Sequence, residues 1–131
     1  MKGKLPLILL SSVMLGIFPA AWAGAVIANN SVDIKSAEVK DTFLGDKVLS
    51  GSIKLVIVDN AAELGNFTQA ALGMDATHYQ SRWQKKSFRE GVPPPQLKAN
   101  DAEVAAFVKA TPGGVGYVKS APSGVKVISN Y

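Results

Sequence analysis

"IVDNAAELGNF", residues 57–67, sets an apolar strand directly against the start of a helix. Ile57 and Val58 lead into the polar pair Asp59-Asn60, and Leu64 and Phe67 then recur at helical spacing. A strand feeding a helix is the building unit of an α/β domain. The C-terminal end of such a strand is where these domains place ligands, because N–H groups at the helix start converge there on an anion. Yet residues 57–64 contain no Ser, Thr, Arg or Gly to hold a phosphate.

Working outward, "IKLVIVD" at residues 53–59 is the strongest strand signal in the chain, and "DKVLSGS" before it suggests a hairpin or an edge segment turning at Ser50-Gly51. "AVIAN" at residues 25–29 is a short apolar run ended by Asn29-Asn30, as a buried strand would be. Between these, Ser36 is placed to cap a helix in which Val39 and Phe43 share a face and which Gly45 ends. Downstream, Leu64, Phe67, Ala71 and Leu72 follow helical spacing up to Gly73. A second helix starts at Asp75 with Ala76, Tyr79 and Trp83 on one face, and it must end before "GVPPPQL", where three prolines enforce an extended connection.

Asn100 and Glu103 then form a capping-box pair for a helix with Val104, Phe107 and Val108 inward. "TPGGVGYV" reverses the chain into a short strand, and "SGVKVISNY" offers a terminal strand with Val125 and Val127 alternating. Strands separated by helices predict a three-layer α/β domain.

The N-terminus has a different character. Lys2 and Lys4 precede the apolar run at residues 5–18, Pro19 follows, and "AWA" at residues 21–23 supplies the small residues of a signal-peptidase site. At 14 residues the run is short of the roughly 20 needed to span a bilayer. The expectation is a signal peptide over residues 1–23, cleaved after Ala23, with export to the periplasm and no transmembrane anchor remaining. Residues 24–131, 108 of the 131, then form one domain.

Loss of Lys2 and Lys4 lowers the formal charge from +4 to +2, which argues against a nucleic-acid partner. With no cysteine and His78 as the one histidine, neither a disulfide framework nor a Cys/His metal cage is available, and no cofactor motif is present. The inventory for catalysis is equally thin. No motif sets a nucleophile beside His78, and the glycines of "TPGGVGYV" lack the Gly-Lys-Ser/Thr of a phosphate loop, so the chain reads as a non-enzyme.

"FLGDK" (residues 43–47), the strand ending "VDN", Phe67, "LGM" (residues 72–74), Trp83, "PPP" (residues 93–95) and "TPGGVGYV" fall in an order that resembles the phosphate-binding proteins of bacterial ATP-driven uptake systems. The resemblance covers residues 25–118 and is to their second lobe, and in particular to the short single-lobe periplasmic proteins related to them. It implies a type II periplasmic binding fold, in which two α/β lobes close on an oxyanion. This chain has length for one lobe.

In that family the strand-to-helix turn follows Arg-x-Asp-Gly-Ser-Gly-Thr. Here Ile57 stands for the Arg, Asn60 and Ala62 for the glycines, Ala61 for the Ser and Glu63 for the Thr, while Asp59 is retained. Losing the guanidinium and two hydroxyls removes charge-assisted contacts of about 1.5 to 3 kcal/mol each, roughly 5 kcal/mol in sum, or over a thousandfold in affinity. The Glu63 carboxylate would also compete for any positive potential at the helix start.

The candidate ligand residues are therefore Asp59, Asn60, Ala61, Ala62, Glu63 and Leu64, holding phosphate or another oxyanion weakly or not at all unless a second lobe or a second copy completes the cleft. A second candidate surface lies in "HYQSRWQKKSFREG", where His78, Arg82, Lys85, Lys86 and Arg89 form a basic helix stripe. It would suit an acidic envelope protein or an anionic surface, which makes an interaction module the alternative to a solute-binding module.

Overall fold

The computed structural model describes residues 23–131; the leader expected over residues 1–23 lies outside the described residues apart from Ala23. A five-stranded sheet has the order β5-β4-β6-β1-β7, formed by β1 (Ala25–Ala28), β4 (Val56–Asn60), β5 (Gln96–Lys98), β6 (Gly114–Val118) and β7 (Lys126–Asn130). Strand β4, next to the edge strand β5, runs parallel to both neighbours, whereas β1 is antiparallel to β6 and β7. A small hairpin of β2 (Leu49–Ser50) and β3 (Ile53–Lys54) stands apart from this sheet. Among the described residues there are four α-helices: α1 (Val39–Phe43), α2 (Leu64–Phe67), α3 (Ala76–Glu90) and α4 (Asp101–Ala110).

Alternation along the strands loads both faces of the sheet. Val26, Ala28, Val115 and Tyr117 face Phe43, Phe67, Leu72, Tyr79 and Trp83, while Ala25, Ile27, Val58 and Val118 face Val104 and Val108 of α4. The sheet thus lies between two helical layers, as the sequence predicts. Gly116 is required at the second interface, because a side-chain carbon there would stand 2.6 Å from Val104 Cγ1 and 3.1 Å from Val58 Cγ2. Gly113 adopts φ +82°, and a side chain on it would collide with the Lys54 carbonyl.

Several local expectations are corrected. The strand predicted over residues 53–59 is divided at Leu55. The Leu55 N–H bonds to Val48 within the hairpin, and the Val56 N–H bonds to Gly113 in the main sheet. Ser36 is not a cap; Lys35 precedes a 3-10 turn at Ser36–Glu38, where Glu38 Oε1 accepts the Lys35 N–H at 2.9 Å, and α1 follows.

Beyond α2 the helix widens into a π turn, Thr68–Leu72, where the Thr68 hydroxyl donates back to the Leu64 carbonyl at 2.9 Å. The segment after the prolines contributes the edge strand β5, which the sequence reading took as connection alone. Phe107 is only half-buried beside Val104 and Val108, with Lys98 Nζ 5.1 Å from its ring centroid. In β7 a register shift moves Ile128 onto the first core and leaves Val127 50% exposed.

Candidate functional site

Strand β4 lies between β5 and β6, so the turn at residues 59–64 follows a strand flanked by two parallel neighbours. Asn60 is fully buried and pins this turn. Its Nδ2 donates to Asp101 Oδ1 at 2.8 Å and to the Tyr117 carbonyl at 3.0 Å, while its Oδ1 accepts the Ala62 N–H at 3.0 Å. The adjacent N–H groups are also engaged: Ala61 donates to the Lys98 carbonyl at 2.8 Å and Glu63 to the Asn60 carbonyl at 3.1 Å. Three consecutive amides of the presumed cradle, those of Ala61, Ala62 and Glu63, are therefore bound within the protein.

The acidic side chains are drawn inward. Glu63, 5% exposed, accepts the Tyr131 hydroxyl on Oε1 at 2.9 Å. Tyr131 joins an aromatic cluster in which Phe67 stacks on Tyr117 with centroids 3.8 Å apart and Phe43 meets both edge-on. Asp59 points to the same side of the sheet. Its Oδ1 accepts the hydroxyls of Tyr79 at 2.9 Å and Tyr117 at 3.0 Å. Burial pushes the Asp59 carboxyl up to about 6, an effect the two tyrosine hydroxyls partly oppose. Burial and the Asp59 charge together drive the Tyr79 and Tyr117 hydroxyls upward, so both remain proton donors. Ala61 and Ala62 are exposed at the surface of the turn.

Asp59 also lines a groove of about 320 Å³ between α3 and the proline segment, together with Tyr79, Gln80, Trp83, Gln84, Pro94, Pro95 and Leu97. Trp83 is the shared wall between this groove and two other depressions. Its indole N–H donates to the Phe43 carbonyl at 2.9 Å, which locks α3 to the end of α1.

The basic residues do share one face. His78, Arg82, Lys85, Lys86 and Arg89 border a depression with Leu44 and Asp46. Lys86 is held by Asp46 at 3.9 Å and Glu90 at 3.3 Å, while the other four side chains are exposed. The helix carrying them is capped by Asp75, which accepts the His78 N–H at 2.7 Å. Turn and stripe border different depressions, so the structure brings the residues together within each set and keeps the two sets apart.

Sequence reasoning missed the partners of the turn: Tyr79, Tyr117, Tyr131, Asp101 and the Lys98 carbonyl. One signal was available. A buried carboxylate closing an apolar strand needs donors, and buried tyrosine hydroxyls need acceptors. Among the described residues no group of His, Asp and Glu side chains is arranged to hold a metal ion, and no helix is long and apolar enough to cross a membrane.

A mixed sheet covered by helices on both faces, with a polar turn at the end of a parallel strand, is the architecture of one lobe of a periplasmic binding protein. The chain is similar in structure to an ABC-type phosphate transport receptor from Vibrio cholerae, with a TM-score of 0.51 and 14% sequence identity over 82% of this chain. The match covers 45% of the receptor, so the chain spans under half of that protein's length, and at this identity the likeness is one of fold. No protein-family model and no curated protein matches the sequence.

Proposed function

We propose that this chain is an exported, non-catalytic binding module of the periplasmic-receptor type whose oxyanion cradle is closed by hydrogen bonds within the chain. The reading is supported chiefly by the three internal hydrogen bonds that occupy the Ala61, Ala62 and Glu63 amides, leaving them no donor for a phosphate oxygen. The Glu63 and Asp59 carboxylates add like-charge repulsion to any anion at the turn. Phosphate or another oxyanion is then bound weakly or not at all by the lone lobe, and a second copy or another lobe would have to bring its own donors.

Export is proposed with cleavage after Ala23, placing the domain in the periplasm. A cut there leaves β1 whole, with the Gly24 N–H donating to the Tyr131 carbonyl at 3.0 Å and the Gly24 carbonyl accepting the Tyr131 N–H at 2.9 Å. Mass spectrometry of the exported product tests this point, with Gly24 as the expected first residue. Titration calorimetry with inorganic phosphate tests the ligand reading. The expected trace has no saturable heat in the micromolar range, and a micromolar isotherm would overturn it. A second reading, an interaction module that contacts an acidic envelope protein, is favoured by the three exposed cations Arg82, Lys85 and Arg89 along α3, with the exposed His78 beside them.

A further inference from the structure

The two hydroxyls that reach Asp59 both donate to one carboxylate oxygen, Oδ1. Oδ2 accepts no hydrogen bond among the described residues, although the side chain is only 6% exposed. It is not sealed inside the protein either. Among the described residues, the Ser87 hydroxyl is the single fully enclosed side-chain polar atom without a partner, so Oδ2 meets the groove that Asp59 lines.

That groove, of about 320 Å³, has an unusual balance of charge. Its other walls are Tyr79 and Trp83, the rings of Pro94 and Pro95, and the side-chain amides of Gln80 and Gln84; no Lys or Arg lines it. A carboxylate withdrawn from water without a counter-charge is costly, and a cation entering from the groove would relieve that cost. The size lies near the lower end of small-ligand sites.

We infer that this groove binds an organic ammonium group, with the ammonium on Asp59 Oδ2 and its alkyl chain along Trp83, Pro94 and Pro95. An ammonium brings three donors, so after one bond to Oδ2 it can use the amide oxygens of Gln80 and Gln84. Its charge is further favoured by the aromatic walls of Tyr79 and Trp83, and its methylenes by the prolines. The same features repel an oxyanion. The inference holds whether or not the neighbouring turn binds phosphate, because the free carboxylate oxygen rather than the turn amides makes the contact.

The test is an NMR titration of the isotopically labelled protein with pentylammonium and, as neutral isostere, 1-pentanol, at constant ionic strength. Saturable shifts centred on Asp59, Gln80, Gln84 and Leu97 are expected with pentylammonium, and binding of 1-pentanol should be about tenfold weaker or worse, since the alcohol forgoes a charge-assisted hydrogen bond. Asp59→Asn should abolish that preference. Gln84→Lys, at an exposed position of α3, keeps the test open should the first variant fail to fold. Its own ammonium would compete for the groove and should weaken pentylammonium binding by a similar factor. Absence of saturable shifts, equal binding of the alcohol, or unchanged affinity in either folded variant would overturn the inference.

Discussion

Replacing Asn60 with Ala examines how the turn is closed. The side chain is fully buried and makes three hydrogen bonds, to Asp101 Oδ1, to the Tyr117 carbonyl and from the Ala62 N–H. Ala62 is exposed and Asp101 half-buried, so both recover water when the amide is removed, at a net cost of about 0.5 to 1 kcal/mol each. The Tyr117 carbonyl is enclosed and would lose this partner, which adds about 1 to 3 kcal/mol. The expected loss is therefore about 2 to 5 kcal/mol, a large share of a domain stability of roughly 5 to 15 kcal/mol.

Asn60→Asp is isosteric and discriminates further. It keeps the acceptor for Ala62 but sets a carboxylate against Asp101 and the Tyr117 carbonyl, so at neutral pH it should be worse than Ala and recover toward acid. Urea denaturation followed by circular dichroism measures both. Midpoints that place both variants within about 0.5 kcal/mol of the parent would mean that Asn60 does not hold the turn.

Asp59→Asn should give a stability difference from the parent that grows with pH. The folded carboxyl titrates at about 6 rather than 3.8 because of burial, so the folded state holds its proton more tightly than the unfolded chain. The parent's stability from this group is full below about 4 and is lost by about 7, a decline of roughly 3 kcal/mol that the amide does not undergo. The titratable groups bonded to it, Tyr79 from α3 and Tyr117 from β6, stay protonated throughout, and a pH-independent difference would assign the effect elsewhere. Phe67→Ala should cost about 3 to 5 kcal/mol, since the ring is fully buried against Tyr117. Phe107→Ala should cost less than half of that, because the ring is only half-buried; equal midpoints for the two variants would contradict the assignment of the two cores.

The layers of the fold were legible because local signals agreed with it. Asp75 and Asn100 each cap the helix their neighbours predicted, and Gly73 ends its segment with φ +70°. The break at Leu55 was not legible, because an apolar run carries no mark of the point where the chain leaves one sheet for another. β5 was hidden for the opposite reason: Gln96, Leu97 and Lys98 show little strand character, and their pairing with β4 supplies the order.

At the site, the absence of Ser, Thr, Arg and Gly could be read directly from residues 57–64. The partners that hold the turn could not. Asn60 bonds across 41 residues to Asp101 and 57 to Tyr117, and Glu63 across 68 to Tyr131, so these partners become visible only when the sheet brings distant segments together.

The central claim is that the Ala61, Ala62 and Glu63 amides of the turn after β4 are not available to an oxyanion. An amide-resolved NMR titration with inorganic phosphate, at constant ionic strength and pH 7.5, tests it most directly. The account predicts no saturable shift at Ala61, Ala62 or Glu63 up to millimolar phosphate. A saturable shift at those three amides, with the parent fold retained, would contradict it.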